Sequence, residues 1–256
     1  LLLPAYGLGV TDVIKRPSPT SDGLTAAEYA AGFARLAGLV ALHRPRIVCF
    51  NGLGLLARFP MDEIYGAHNI PGMPAGRFAT RAGGLMASED NFVIRITGRG
   101  GHAARPHMAI DPILIGAEIV LALQTIVARS VDPRHPAVVS CTEFITDGIR
   151  NAIPTEVVIK GDTRSYAAEV QALIEKRMRE ICQGICSAHG ARCEVEYTHE
   201  FAPTVNWPQC VSVAVRAAQA VAGAGHVDAD TPPMMISEDF GRFLQVIPGA
   251  FVFIGN

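Results

Sequence analysis

The most regular alternation of hydrophobic and polar positions lies in the middle of the chain. Phe92, Ile94 and Ile96 share one face of a predicted strand, with Arg95 and Thr97 on the other. Five further segments follow with the period of a helix or a strand. In order, they are a helix over Asp111 to Ala128, strands over Ala137 to Phe144 and Glu156 to Arg164, a helix over Glu169 to Ala188, and a strand over Glu194 to Thr198.

The order of these elements, β-α-β-β-α-β, is typical of a ferredoxin-like unit with a four-stranded antiparallel sheet and two helices on one face. The first helix is apolar on nearly all sides, and Pro112 occupies its first turn. Such a helix is buried or lies at an interface, so we expect a homodimer formed through this unit.

The most apolar stretch of this helix, Ile113 to Val127, falls short of the roughly 20 residues that span a bilayer, so no membrane anchor is predicted.

Further α/β segments flank this unit on both sides. Before it lie a capping box at Thr25 to Glu28 that begins a helix to about Leu42, a buried strand at Arg46 to Phe50, a boundary near Gly52, and a Pro- and Gly-rich stretch from Arg58 to Arg81. After it lie a helix over Pro208 to Val221, a strand over Met234 to Ile236, a helix over Asp239 to Leu244 and a strand over Phe251 to Ile254. We therefore predict an α/β fold with three parts: residues 1–53, an α/β domain of residues 54–90 and 200–256, and the inserted ferredoxin-like unit of residues 91–199.

Composition and charge exclude several classes of protein. The 256 residues are 49% hydrophobic and 18% charged, which is typical of a globular chain and excludes a disordered or fibrous one. A formal net charge of -2 gives no basic excess for binding nucleic acid. No charged segment followed by a long apolar one opens the chain, so no signal peptide is predicted. The six cysteines form no CxxC pair, and we expect reduced thiols in a cytoplasmic protein.

The densest group of polar residues on a predicted loop follows the first strand of the unit. The segment Gly98 to His107 places glycines before His102, and glycine lets the backbone approach a partner closely. An accessible imidazole here could donate a hydrogen bond to a developing oxyanion, or act as a general acid or base. The alternative is a turn whose histidines bond to local carbonyl groups.

Four further residues are candidates for function, each with a structural alternative. His68 follows a short β-like run and could be a zinc ligand at a strand end, although a lone histidine is usually just hydrogen-bonded. Arg164 could bind a carboxylate with two parallel hydrogen bonds, or pair with a nearby acid. Asn151 could cap a turn or offer its side-chain amide to a substrate. Ser237 is most simply the N-cap of a helix.

Several motifs, in order along the chain, resemble those of one enzyme family. They are Arg58-Phe-Pro-Met-Asp, Gly66-Ala-His-Asn, Gly100-Gly-His-Ala-Ala-Arg-Pro-His, Asn151-Ala-Ile-Pro, Pro203-Thr-Val-Asn and Ser237-Glu-Asp-Phe. From about residue 54 to residue 256 the chain resembles the zinc-dependent amidohydrolases of the hippurate hydrolase and auxin-conjugate hydrolase type. The resemblance implies a metal-binding α/β domain interrupted by a ferredoxin-like lid, which also forms the dimer.

The resemblance also implies roles for single residues. His68 matches a ligand of a divalent metal, zinc or manganese. His102 matches the lid histidine that reaches into the partner subunit's site and stabilises the oxyanion. Asn151 and Arg164 match lid residues that hold the substrate, with Arg164 at its carboxylate. The implied reaction is the hydrolysis of an N-acyl amino acid.

Other parts of the family's metal site have no counterpart in this sequence. They are an early His-Asp-Gly-His motif, a Glu-Glu pair that supplies the general base, and a late histidine ligand. A catalytic zinc needs about three protein ligands, and His68 supplies one. We therefore expect the chain as given to be inactive.

The first 52 residues carry a second resemblance. Tyr6 to Pro17 and Arg44 to Gly52 are similar to the middle of mismatch-specific uracil-DNA glycosylases, without the two catalytic loops of those enzymes. Five basic against three acidic side chains before residue 54 are too few to favour binding to DNA. Three hypotheses stay open: an amidohydrolase-type chain, a glycosylase fragment, and a non-catalytic dimerising module from a gene fusion.

Overall fold

The computed structural model describes residues 25–43 and 62–256. Contacts within the chain divide it into two compact units, Leu1–Met61 and Asp62–Asn256. The described part of the first unit is one helix, α1, over Ala26–His43 with the residue before it.

The start of α1 follows the sequence prediction. The hydroxyl of Thr25 accepts a hydrogen bond from the amide of Glu28 at 3.3 Å. In return, the Glu28 carboxylate accepts one from the amide of Thr25 at 2.8 Å, which confirms the capping box. The predicted strand at Arg46 to Phe50 and the boundary near Gly52 lie outside the described residues.

The second unit is a mixed α/β structure, as predicted. Its strands are β1 Ile64–Ile70, β2 Phe78–Ala79, β3 Gly83–Met86, β4 Glu89–Thr97, β5 Gly101–His102, β6 Ala137–Thr146, β7 Ala152–Ile153, β8 Glu156–Ser165, β9 Arg192–Phe201, β10 Thr204–Asn206, β11 Val227–Asp228 and β12 Gly249–Gly255. Its α-helices are α2 Pro112–Thr125, α3 Ala168–Ala188, α4 Pro208–Ala222 and the single turn α5 Gly241–Leu244.

One layer of this unit contains a mixed sheet with the strand order β1-β12-β2-β11, and we call it the sheet layer. β1 and β12 are parallel and start in register with Ile64 opposite Gly249. Helix α4 packs on β12 by burying Cys210 with Ala250. Within the described chain β1 is an edge strand, and it carries His68.

The other layer extends from the start of β4 to the end of β9, and we call residues 89–201 the βαββαβ unit. Its antiparallel sheet has the strand order β6-β8-β4-β9, and α2 and α3 pack against it. Phe92, Ile94 and Ile96 on β4 are at most 1% exposed and belong to one core with both helices. The ring of Phe92 packs directly against the backbone of β8, because a Cβ on Gly161 would lie 2.3 Å from that ring. The element order and the antiparallel pairing match the prediction.

Helix α2 has one buried and one exposed face. Ile119 and Leu123 are fully buried, whereas Leu114 and Leu121 are 62% and 73% exposed. A π-helical turn continues the helix to Ser130. By length and composition alone this helix could cross a membrane. Its buried side chains, however, form part of the core of the βαββαβ unit.

The chain passes between the two layers twice, at neighbouring points. β3 leads into β4 through residues 87–88, and β9 leads into β10 through residues 202–203. β3 and β10 pair antiparallel, so the two crossings lie side by side. We call residues 87–88 and 202–203 the joint.

The strand predicted over Met234 to Ile236 is wrong. The segment forms one isolated bridge, between Met234 and Met86, instead of a ladder. It follows Pro232 and Pro233, which have no N–H to donate to a neighbouring strand.

The helix predicted over Asp239 to Leu244 is shorter than expected. It is the single turn α5, and its N-cap is Phe240. Ser237 therefore does not cap a helix, which corrects the prediction for that residue. Its hydroxyl donates instead to the carboxylate of Glu89 at 2.5 Å. The hydroxyl of Ser237 thus bonds to a residue far away in sequence instead of to a nearby backbone amide.

Candidate functional site

Two short strands bring together two of the residues that the sequence singles out. β5 pairs antiparallel with β7, with His102 opposite Ala152. The amide of Ala103 donates to the carbonyl oxygen of Asn151 at 3.0 Å. The side chains of His102 and Asn151 are both exposed. The strand pairing therefore brings the backbones of His102 and Asn151 close together, and both side chains are open to solvent.

The glycines of this loop are required by close packing of the backbone. A Cβ on Gly98 would lie 2.2 Å from the carbonyl oxygen of Ile110, and one on Gly100 would lie 2.9 Å from that of Ile153. Real Cβ atoms do not come so close to an oxygen atom. At Gly101 the nearest atom would be 3.5 Å away, which is an ordinary contact. Two of the three glycines thus hold the loop against its neighbours.

The imidazole of His102 is oriented by its own loop. Its Nδ1 accepts a hydrogen bond from the amide of Ala104 at 3.1 Å. The amide of Arg105 donates to the carbonyl oxygen of His102 at 2.8 Å, which closes a turn around residues 103 and 104. The ring position is thus coupled to the backbone of the turn.

Arg164 lies at the opposite end of the βαββαβ unit, beside the joint. Its Nε donates to the Asp162 carboxylate at 2.9 Å, and its Nη1 lies 3.2 Å from the carboxylate of Glu89 and 3.2 Å from the hydroxyl of Ser237. Two carboxylates therefore balance the single positive charge. Arg164 is eight positions along β8 from Glu156, about 26 Å at the usual rise per residue. Because Glu156 adjoins the β5–β7 pair, the structure does not bring Arg164 together with His102 and Asn151.

His68 is exposed on β1, in the sheet layer. Its Nδ1 lies 2.6 Å from the carbonyl oxygen of Asn69. A carbonyl can only accept, so Nδ1 carries the proton and Nε2 keeps its lone pair. Metal-binding histidines usually have this arrangement, with the second ring nitrogen donating to a carbonyl. Among the described residues, however, no three His, Cys, Asp or Glu side chains are grouped so that they could hold a metal ion.

Acidic residues follow Ser237 in the same layer. The pKa of Glu238 is raised, first by burial and then by the side chain of Asp239, while the backbone amide of Asp239 and the imidazole of His68 act in the opposite direction. Glu238 is half-buried, and its carboxylate accepts from the amide of Asp239 at 3.1 Å. The motif Ser237-Glu-Asp-Phe thus brings a carboxyl group near His68 and a hydroxyl to Arg164.

Sequence reasoning did not find a polar network beside the joint. Asp90 is 1% exposed, and its Oδ1 lies 2.6 Å from the Gln171 amide and 2.7 Å from Nδ1 of His199. Nε2 of His199 lies 3.2 Å from the Glu175 carboxylate. Burial raises the pKa of Asp90, and the hydrogen bonds from His199 and Gln171 oppose that shift. A signal was present: Asp90 falls in the alternation that buries Phe92, so a carboxylate was to be expected in the interior.

A surface groove adjoins this network between the two layers. It has a volume of about 360 Å³ and is lined by Gln171, His199, Ala202, Arg242 and Gln245. The Arg242 guanidinium donates to the carbonyl oxygens of His199 and Glu200 at 3.1 and 2.8 Å. These bonds tie α5 of the sheet layer to the last strand of the βαββαβ unit.

The sequence matches the peptidase family M20/M25/M40 over residues 24–256. The hippurate hydrolase of Campylobacter jejuni is 34% identical over 203 residues, which is 79% of this chain and 53% of that protein. The N-acyl-L-amino acid amidohydrolase of Geobacillus stearothermophilus is 38% identical over 149 residues, which is 58% of this chain and 40% of that protein. The chain thus spans about half the length of the curated relatives it matches.

A solved structure shares the architecture. The YxeP protein of Bacillus subtilis, described as a dinuclear metal-binding peptidase from the M20 family, superposes with a TM-score of 0.62 and 29% identity. The superposition covers 76% of this chain and 48% of that one. The family match from residue 24 onward includes α1, which lies in the segment that also carries the glycosylase resemblance.

Proposed function

Because this chain belongs to the peptidase family M20/M25/M40, we propose that it serves the metal-dependent hydrolysis of the amide bond in N-acyl amino acids of the hippurate type. The names of its relatives, hippurate hydrolase and N-acyl-L-amino acid amidohydrolase, support this substrate class. The observation that carries the proposal is the pairing of β5 with β7, which brings the backbones of His102 and Asn151 close together and leaves both side chains exposed. In this role the βαββαβ unit acts as a lid over the substrate.

His102 is the proposed catalytic residue of the lid. Its imidazole donates a hydrogen bond to the carbonyl oxygen of the scissile amide, where negative charge develops as water attacks. Asn151 offers its side-chain amide to the same part of the substrate. The β5–β7 pair sets the backbone positions of both residues, and the amide of Ala104 orients the ring of His102, which reduces the reorganisation that the reaction requires.

Arg164 is the proposed contact of the substrate carboxylate. Its Nε and Nη1 bind Asp162, Glu89 and Ser237, which hold the guanidinium in place. Its Nη2 makes no hydrogen bond within the described part of the chain and is the atom that would reach the carboxylate. Since two acids already balance its charge, we expect Arg164 to contribute orientation more than binding energy.

The distance along β8 supports a dimeric site. An N-acyl amino acid extends on the order of 10 Å, whereas Arg164 lies about 26 Å along β8 from Glu156, the strand end that adjoins the β5–β7 pair. One substrate molecule is therefore too short to reach from His102 to Arg164 of the same chain. We propose that His102 of one chain serves the site that contains Arg164 of its partner. Exposed Leu114 and Leu121 on α2, together with the edge strand β6, form the proposed interface between the lids.

The described residues do not by themselves fit a metal centre. We propose His68 as one ligand of a divalent ion, zinc or manganese, because its Nδ1–H bond to Asn69 leaves Nε2 free. A catalytic zinc needs about three protein ligands, and no such group exists within residues 25–43 and 62–256. We therefore propose that the chain by itself does not hydrolyse these amides.

The state of the cysteines and the net charge bear on the compartment and on the class of partner. The five described cysteines are free, which supports a reducing compartment such as the cytoplasm. A net charge of -2 supports a small-molecule substrate over nucleic acid as the partner.

A chimaeric enzyme tests the proposed role of the lid. The corresponding lid of the Campylobacter jejuni hippurate hydrolase is replaced by residues 89–201 of this chain, and hippurate hydrolysis is measured. We expect activity, and a loss of about 100- to 1000-fold in kcat for His102→Ala, the usual cost of one oxyanion donor. The matched control is His107→Ala in the same loop, which should change kcat less than about twofold. An active chimaera that is insensitive to His102→Ala would contradict the proposal.

Mixing variants of the same chimaera tests the shared site. The His102→Ala and Arg164→Ala variants are each impaired alone. If the two residues act from different chains, a mixed dimer regains one intact site, and random exchange restores about one quarter of the full activity. No recovery after subunit exchange would mean that His102 and Arg164 of the same chain act together, which would contradict the shared site.

A further inference from the structure

The hydrogen bond from Ala104 to His102 determines which ring nitrogen carries the proton. A backbone amide can only donate, so Nδ1 of His102, 3.1 Å away, must accept with its lone pair. A neutral imidazole that accepts at Nδ1 has its proton on Nε2. The two ring nitrogens of His102 therefore have distinct roles before any substrate arrives.

We propose that the amide of Ala104 fixes His102 as the Nε2–H tautomer, and that His102 therefore donates a hydrogen bond to the substrate and does not act as a general base. Nε2 already carries a proton and cannot take another from water. Nδ1 has the lone pair, but the amide of Ala104 occupies it. Ala104 is thus a positioning residue that acts through its backbone. The consequence for catalysis rests on the proposed function, whereas the tautomer itself does not.

The loop around the bond leaves the amide of Ala104 little freedom. On one side, the amide of Ala103 donates to Asn151 across the β5–β7 pair, and on the other the amide of Arg105 donates to the carbonyl oxygen of His102. Gly98 holds the base of the loop against the next segment of chain, where a Cβ would collide with a carbonyl oxygen. With both neighbouring amides bonded, the N–H of Ala104 points at the ring.

Two other histidines of the chain have different settings and provide a comparison. His68 donates from Nδ1 to the carbonyl of Asn69, so its neutral form carries the proton on Nδ1. His199 has a carboxylate within hydrogen-bond distance of each ring nitrogen, Asp90 at 2.7 Å and Glu175 at 3.2 Å. The structure thus assigns opposite tautomers to His68 and His102.

Nuclear magnetic resonance of the whole chain with nitrogen-15 histidine and alanine tests the assignment. Spectra are recorded about two pH units above the usual histidine pKa of ~6.5, where neutral rings dominate. We expect Nε2–H for His102, Nδ1–H for His68, and a scalar coupling across the N–H···N bond between the Ala104 amide and Nδ1 of His102. Absence of that coupling, or a tautomer ratio at His102 equal to that of exposed His107, would overturn the proposal.

Two substitutions distinguish the effect of the backbone N–H of residue 104 from the effect of its side chain. Ala104→Gly keeps the N–H, and the coupling and the tautomer of His102 should persist. Ala104→Pro removes the N–H, and the tautomer ratio of His102 should move to that of His107. An unchanged ratio in a folded Ala104→Pro protein would also overturn the proposal. If proline disrupts the turn, the scalar coupling between Ala104 and His102 in the unaltered chain remains the test of the proposal. An inactive chimaera with this coupling intact would refute the proposed function alone.

Discussion

Asp90 and His199 form a 2.7 Å hydrogen bond between the first and the last strand of the βαββαβ unit. Asp90 is the second residue of β4, and His199 lies near the end of β9, so the bond closes the unit beside the joint. Gln171 and Glu175 extend the network to α3. The two ends of the unit are therefore tied to each other and to one helix, independently of the sheet layer.

Burial of Asp90 predicts a specific dependence of stability on pH. Because its pKa is raised in the folded protein, the folded state holds this proton more tightly than the unfolded state. The stabilisation from the proton is complete below the usual aspartate value of about 4 and is lost as pH rises through the raised pKa. The free energy of unfolding, relative to the Asp90→Asn variant, should therefore fall as pH rises from about 4.

Urea unfolding of both proteins at a series of pH values measures this difference. Asp132→Asn is the control, because Asp132 is exposed and its pKa is lowered by Arg134. Replacing this exposed side chain should change the free energy of unfolding little. A rise with pH in the stability of the unaltered chain relative to Asp90→Asn would show the opposite, that folding favours the carboxylate form.

Gly98 and Gly101 form a matched pair for testing the loop that carries His102. Gly98→Ala places a Cβ 2.2 Å from the carbonyl oxygen of Ile110, so the backbone must move. We expect a loss of at least about 2 kcal/mol in the free energy of unfolding. Gly101→Ala meets its nearest atom at 3.5 Å and should cost less than about 1 kcal/mol. Equal costs in chemical denaturation would mean that close packing does not fix this loop.

The proposed lid interface predicts which apolar side chains matter for association. Leu121 on α2 is 73% exposed, and Val221 on α4 is 83% exposed. Sedimentation of the unaltered chain at micromolar concentration should give a dimer. Leu121→Glu should give a monomer, since it buries a charge in the interface, whereas Val221→Glu should remain dimeric. A monomeric unaltered chain, or a dimer broken by Val221→Glu alone, would place the interface elsewhere.

Periodicity predicted the elements whose stability comes from burial along one face. Phe92, Ile94 and Ile96 alternate because β4 packs on two helices, so the βαββαβ order could be read directly from the sequence. The same reasoning failed for Met234 to Ile236, where apolar residues lie in a segment that pairs through a single bridge. The preceding prolines were the local signal against a strand.

Interactions between residues far apart in sequence could not be predicted. Ser237 has the sequence context of an N-cap, but Glu89, 148 positions away, accepts its hydrogen bond. Arg164 was a candidate for binding a carboxylate, and only the fold shows that Glu89 and Asp162 already occupy part of its guanidinium. The closeness of His102 and Asn151 likewise depends on pairing between two short strands that α2 and β6 separate along the chain, which no local pattern encodes.

The most direct measurement is of metal content and hydrolysis in the unaltered chain. The purified protein is loaded with zinc or manganese, freed of excess ion, analysed for bound metal, and assayed with hippurate. Since His68 has no group of partner ligands among the residues that the structure describes, it should hold a divalent ion weakly. We therefore expect less than about one ion per chain and no hydrolysis above that of the buffer. One or more tightly bound ions per chain, with turnover of hippurate, would show that this chain contains a complete metal centre.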